Sequence, residues 1–246
     1  MTIPVSKVYE IELVAPGNWE HKLSDRNTEY PGVRIIGKFE LKKGQKITAA
    51  LGQQGNHWSG SCGSGGSFLV LESDEGQKPL LIAGGAGHSP YDEDARGSIK
   101  QAAVGNENIG TSGKQKKIGF FEQNNIYCAG AGFNKAPEVS DLADGCVAPK
   151  SYKEGLMGGK GVLYKDVTEG GFGGGGGHFR KEVRWGWGSY GANWYHGAGG
   201  GFTGGGTKVG NGSNCWGGGG GSFSADPNAK FDHHYVEYGY CKISSM

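Results

Sequence analysis

Histidines, cysteines and clustered carboxylates are the side chains here with the means to do chemistry, and their spacing decides which chemistry. His233 and His234 stand side by side upstream of Cys241, which invites a metal reading. Neighbouring residues of a strand point to opposite faces, so the two imidazoles are expected at a strand edge rather than on one ion. Asp92, Glu93 and Asp94, with Gly97 after them, resemble a calcium loop. Arg96 occupies a position where a ligand is needed and no glutamate closes the loop, so a solvated acidic loop is expected. Cys62, Cys128, Cys146, Cys215 and Cys241 contain no CxxC pair and match no zinc spacing. Five cysteines allow at most two disulfides and leave a thiol over, which keeps the redox compartment open. His178 and His196 form no recognisable nucleophile–base arrangement with the cysteines. Gly158-Gly159-Lys160-Gly161 and Gly113-Lys114 lack the upstream glycine and the Ser/Thr after lysine that a phosphate cradle requires. No catalytic residue, metal ligand or cofactor is expected, and the chain reads as a non-enzyme.

The densest aromatic segment runs from Trp185 through Trp187, Tyr190 and Trp194 to Tyr195 and His196. Exposed, these rings would form a platform that stacks on sugars or anchors a partner, since Trp and Tyr are enriched at interaction hot spots. Buried, they would cover a glycine-rich core that has no side chains of its own. Both readings stand at this point, and the burial of the rings separates them.

The elements that must position these residues are unusual. Of 246 residues, 51 are glycine, and many come in runs: Gly170-Gly171-Phe172 leading into Gly173, Gly174, Gly175, Gly176 and Gly177; Gly197-Ala198 leading into Gly199, Gly200 and Gly201; Gly204 to Gly206; and Gly217, Gly218, Gly219, Gly220 and Gly221. Such runs make poor helices, at roughly 1 kcal/mol per residue against alanine. They contribute no burial either, so alone they would be flexible linkers. The aromatic content of 11% argues otherwise, because linkers are poor in rings. Extended three-residue glycine helices can approach closely enough to pair N–H and C=O groups between neighbours, which satisfies the backbone. A bundle of such polyglycine-II-type helices is the expectation, with those glycines as its structural core.

Strands flank the runs. Val8–Val14, Val33–Leu41, Lys46–Leu51, Ser67–Glu72 and Lys78–Ala83 read as β-structure, the last two as a hairpin around Asp74-Glu75-Gly76. Alternation returns at Tyr235–Ile243, so the two ends of the chain are expected in one sheet. The middle, about Gly84 to Gly221, carries little helix or strand signal beyond a short helix over Glu138–Asp144. The reading is one mainly β domain with little α-helix: residues 1–85 and 230–246 form a β-sandwich and 86–229 a glycine-rich insertion.

Charge and hydropathy exclude other classes. A net charge of +1 gives no electrostatic footprint for nucleic acid or anionic lipid. Lys114-Gln115-Lys116-Lys117 is a solvated basic run without the arginine–glycine repeats of RNA binders. No run of about 18 apolar residues spans a membrane. The N-terminus has no apolar signal-peptide core. The sequon Asn211-Gly212-Ser213 is compatible with secretion without requiring it.

The order of the glycine landmarks matches a known family. Gly52-Gln53-Gln54-Gly55, Gly63-Ser64-Gly65-Gly66, Pro79–Ala83 running into Gly84-Gly85-Ala86-Gly87, Gly170–Gly177 and Gly199–Gly205 follow one another as they do there. In this the chain, from about Val8 to Ile243, resembles the glycine-rich extracellular domain of the anaplastic lymphoma kinase and leukocyte tyrosine kinase receptors. The resemblance implies a β-sandwich similar to tumour necrosis factor, formed by N- and C-terminal strands, with an inserted bundle of polyglycine-type helices. It implies an extracellular, non-enzymatic module with a protein partner, either a cytokine-like ligand or an assembly neighbour. The absence of a signal peptide leaves an intracellular assembly open. The chain lacks a kinase domain and a membrane span, so receptor signalling is not implied, and no ligand-binding side chain carries over. The other class to weigh is carbohydrate or surface recognition, a lectin, adhesin or ice binder using the Trp185–Tyr195 rings. The long charged loops disfavour ice.

Overall fold

Strand β1 (Lys7–Val14) alternates: Tyr9, Ile11 and Leu13 are buried, and Glu10 and Glu12 sit half-buried on its other face. After the short antiparallel pair β2 (Asn18–Glu20) and β3 (Thr28–Tyr30), strand β4 (Gly32–Leu41) repeats the pattern with Val33, Ile35, Phe39 and Leu41 inward. In this computed structural model, which describes residues 1–20, 28–56, 62–88, 95–103, 128–137, 146–163, 166–185, 189–209 and 215–246, β1 pairs antiparallel with both β4 and the C-terminal β16 (Tyr240–Ser245). Strand β15 (Lys230–His234) lies on the other edge of β4, giving the order β15-β4-β1-β16. The two ends of the chain therefore do share a sheet. A second antiparallel sheet runs β14-β7-β6-β5, built from β5 (Lys46–Ala50), β6 (Ser67–Ser73), β7 (Gly76–Ala83) and β14 (Phe223–Ser224). Its β6–β7 hairpin closes at Ser73 and Gly76, whose φ of 107° suits glycine. Ile11, Leu13, Ile35 and Phe39 from the first sheet meet Ile47, Leu69 and Leu81 from the second in one core. Two sheets thus bury their apolar faces against each other. The chain is mainly β with antiparallel sheets, and among the described residues helix is limited to short turns such as Tyr152–Glu154.

Beyond this sandwich the backbone pairs in another way. The consecutive N–H groups of Gly199, Gly200 and Gly201 donate to three different segments, at Gly218, Ser64 and Ala131. In a strand, successive N–H groups alternate between two sides; here they turn through three. Pairs recur every third residue. Ala198 and Gly201 donate to Cys128 and Ala131, in parallel sense. Gly63 and Gly66 donate to Gly176 and Gly173, Gly85 and His88 to Gly200 and Gly197, and Gly217 and Gly220 to His88 and Gly85, all in antiparallel sense. Every glycine of the runs Gly173–Gly177, Gly199–Gly201 and Gly217–Gly220 is buried in this lattice. Segments lie so close that a Cβ on Gly66 would stand 2.8 Å from Gly201 Cα and 2.9 Å from the Gly200 oxygen.

Buried hydroxyls and an amide tie lattice to sandwich. Ser67 Oγ donates to the Val14 carbonyl and accepts the Gly52 N–H at 2.7 and 3.0 Å. Ser222 Oγ accepts the Gly84 N–H, and Ser64 Oγ donates to the Gly17 carbonyl. Asn18 Nδ2 donates to the carbonyls of Cys62 and Gly87.

Three elements depart from the sequence reading. The C-terminal alternation begins a strand only at Tyr240, because Tyr235–Gly239 is a crossing whose Val236 carbonyl and Gly239 N–H bind Gly17 and Gly52. The glycine-rich middle holds more strand than expected: β8 (Lys160–Leu163), β9 (Asp166–Glu169), β10 (Phe179–Trp185), β11 (Ser189–Tyr195), β12 (Thr207–Val209) and β13 (Cys215–Gly217). Phe223–Ser224 pairs with β7 although it falls inside 86–229. The helix expected over Glu138–Asp144 lies outside the described residues.

Candidate functional site

The aromatic segment forms the hairpin β10–β11, with Trp185 opposite Ser189, Arg184 opposite Tyr190, Arg180 opposite Trp194 and Phe179 opposite Tyr195. Trp185 and Tyr190 therefore belong to the turn end, and Trp194 and Tyr195 to the end that meets the lattice. Trp187 lies outside the described residues. Tyr195 is 3% exposed, stacks on Phe179 at 5.7 Å and packs against Cys128, whose Sγ donates to the Tyr195 carbonyl. It covers the lattice and offers no platform. Trp194, its neighbour on the opposite face of the strand, is half-buried against His178 at 5.7 Å between ring centroids. Of the five rings singled out by sequence, Trp194 and Tyr195 thus lie on opposite faces of β11.

A group that spacing did not reveal sits at this end. His196 stacks on His88 at 4.5 Å, on His178 at 5.0 Å and on Trp216 at 4.7 Å, with interplanar angles of 21°, 18° and 12°. His88 and His178 are buried, at 3% and 1% exposed. Tyr30 meets the edge of His88. Each histidine abuts a glycine run (Gly87-His88, Gly177-His178, His196-Gly197), which is the one sequence signal that links them. Parallel rings keep their in-plane nitrogens from converging, so this is no chelate. Among the described residues no group of three or more His, Cys, Asp or Glu is arranged to hold a metal ion.

The other reactive side chains are quiet. Cys62, Cys146 and Cys241 are free thiols. Burial pushes Cys62 up to about 12 and Cys241 up to about 11, and raises Cys146, so none of these three is a ready thiolate nucleophile at neutral pH. His233 and His234 are on β15, as an edge-strand reading expects, and the His233 Nε2 lies 2.8 Å from the Gly97 carbonyl. Lys160 opens β8 and pairs with Glu169 at 2.7 Å. Asp92, Glu93, Asp94, Lys114–Lys117 and Asn211 lie outside the described residues.

No protein-family model matches the chain, and no curated protein sequence matches it. Among the described residues no helix is long and apolar enough to cross a membrane.

Proposed function

We propose that the chain is a non-enzymatic protein-interaction module, in which a bundle of polyglycine-II-type helices set on a tumour-necrosis-factor-like sandwich holds a recognition surface rigid. It docks on a protein partner, a cytokine-like ligand or a neighbour in an assembly, as the resemblance to the glycine-rich receptor ectodomains implies. The observation that carries this reading is the three-residue period of the lateral hydrogen bonds, with donors turning through three neighbouring segments. Such a lattice presents almost no side chains, so it has little to do chemistry with and much to gain in rigidity. A rigid scaffold lowers the ordering cost of binding. The β10–β11 hairpin, joined to the lattice at Phe179 and Tyr195, is the proposed contact element, with Tyr190 and Trp194, which share one face by register, its anchors.

Cross-linking mass spectrometry on native extract tests this, with purified Tyr190→Ala and Trp194→Ala proteins compared with the parent. A protein captured by the parent through residues of the hairpin, and lost from both variants, is expected. Binding to a glycan array that both variants lose, with no protein captured, would instead place the chain among carbohydrate binders.

A further inference from the structure

Strand β16 (Tyr240–Ser245) ends the first sheet, and among the described residues nothing pairs with its outer edge. The Met246 N–H donates to the Val8 carbonyl, which fixes the phase of the ladder between β16 and β1. By antiparallel alternation Tyr240, Lys242 and Ser244 also turn their backbone groups to β1. Cys241, Ile243 and Ser245 turn theirs away, so their N–H and C=O groups line the open edge. The same residues lie on the core side of the strand, where Cys241 and Ile243 are only half-buried against the apolar cluster they border. On the outer face, Val8 and Met246 are 41% and 64% exposed. Strand β5, at an edge of the second sheet, is by contrast taken up at Ile47, which exchanges both its backbone bonds with Met1.

We propose that a second copy of this chain docks on β16, strand against strand and antiparallel, joining the two four-stranded sheets into one. A copy is selected over other strands because this edge complements itself. A two-fold axis at Ile243 sets Ile243 against Ile243, Cys241 against Ser245, Lys242 against Ser244 and Tyr240 against Met246. The first two pairings join the residues whose backbone groups face outward, so each copy gives three N–H groups to the other's carbonyls. Lys242 is the one charged residue of the strand, and it faces a serine. Across the axis each half-buried Ile243 covers the other, and Tyr240 of one copy meets the exposed Met246 of the next. Other axes fail. One at Lys242 opposes lysine to lysine and presents backbone groups already turned to β1. One at Cys241 needs the Gly239 N–H, which is bound to Gly52. A seam of one strand pair is small, so a dimer dissociating in the micromolar range is expected.

Sedimentation velocity on the whole chain, from about 1 to about 300 µM, measures this association. Ser245→Pro removes one outward N–H from each copy and none from the ladder to β1. It is expected to weaken the dimer about thirtyfold or more, with far-UV circular dichroism unchanged. Ser244→Lys sets a lysine against Lys242 of the other copy on both sides of the axis, while in its own sheet it faces Glu10. It is expected to raise Kd about tenfold and to leave the fold intact. Amide exchange by NMR in the unaltered protein gives a readout free of substitutions. The Cys241, Ile243 and Ser245 amides are expected to be protected at high concentration and to exchange freely on dilution, whereas Lys242 and Ser244 stay protected throughout. A chain monomeric over the whole range, or a dimer in which dilution leaves exchange at those three amides unaltered, would overturn the proposal.

Discussion

Replacing Gly199 by alanine separates a lattice from a linker. In a flexible run, alanine for glycine restricts the native and unfolded chains alike and leaves stability unchanged, while at an ordered site that it fits it stabilises by about 0.4–1 kcal/mol. In the lattice, a Cβ at Gly199 would lie 2.8 Å from the Gly85 carbonyl carbon and 2.9 Å from the Gly220 nitrogen, and nearer still to the Gly85 oxygen. All three atoms are backbone, so no rotamer change can relieve them. Forcing a group into such a site costs about 1–3 kcal/mol. Pushing the segments apart also stretches the bonds from Gly199 to Gly218, Gly205 to Gly199 and Gly220 to Gly85, each with a net value of roughly 1 kcal/mol. A loss of about 4 kcal/mol follows, which for a chain of this size lowers Tm by roughly 8–16 °C. Thermal unfolding by near-UV circular dichroism measures it. Gly37→Ala is the control, because the atoms nearest its Cβ are the side-chain ends of Phe39 and Leu81 at 3.0–3.3 Å, which can yield. An unchanged or raised Tm for Gly199→Ala would refute the lattice.

Other consequences are smaller. Ser67→Ala strands the buried Gly52 N–H and Val14 carbonyl and is expected to cost about 1–3 kcal/mol in urea denaturation, with the strands intact by far-UV circular dichroism. Cys62, buried and pushed up to about 12, is expected to escape a thiol reagent at pH 7.5 in the native state and to react within minutes in urea, as read by peptide mass spectrometry. The hydrogen bonds from Arg34 hold the Asp232 carboxyl below its ordinary range, so the stability they contribute is present above that range and is lost as pH falls through it toward the depressed value. Both partners are substantially exposed, so Asp232→Asn should cost only about 0.5 kcal/mol at neutral pH, and less in high salt.

The sandwich is legible in sequence because its strands bury one face: the alternation in Val8–Val14 and Val33–Leu41 is the signal, and β6 and β7 show as short apolar runs bounded by turns. Tyr235–Gly239 imitates that alternation without pairing as a strand, since its Val236 carbonyl and Gly239 N–H are taken up by Gly17 and Gly52. The hairpin β10–β11 is hidden for the opposite reason. Arg180, Lys181, Glu182 and Arg184 break any apolar period in one strand, and Gly191 weakens the other, so its pairing owes more to the lattice at its base than to local propensity. That the glycine runs are ordered could be argued from the aromatic content, but their partners could not. A run of identical residues carries no register, and the bonds joining Gly63 to Gly176 or Gly85 to Gly200 are set by where the flanking strands release the chain. The histidine stack inherits that limitation, since its members meet only once the lattice has fixed their register.

Amide hydrogen exchange at the glycines of the lattice, resolved residue by residue by NMR at neutral pH, tests the central claim most directly. Gly63, Gly66, Gly85, Gly199, Gly200 and Gly220 each donate a lateral backbone bond. They are expected to be protected as strongly as Ile11 and Leu69 in the sandwich core. Exchange at those glycines at unstructured-chain rates, with the sandwich still protected, would contradict the account: the runs would then be tethers and not the rigid centre of the fold.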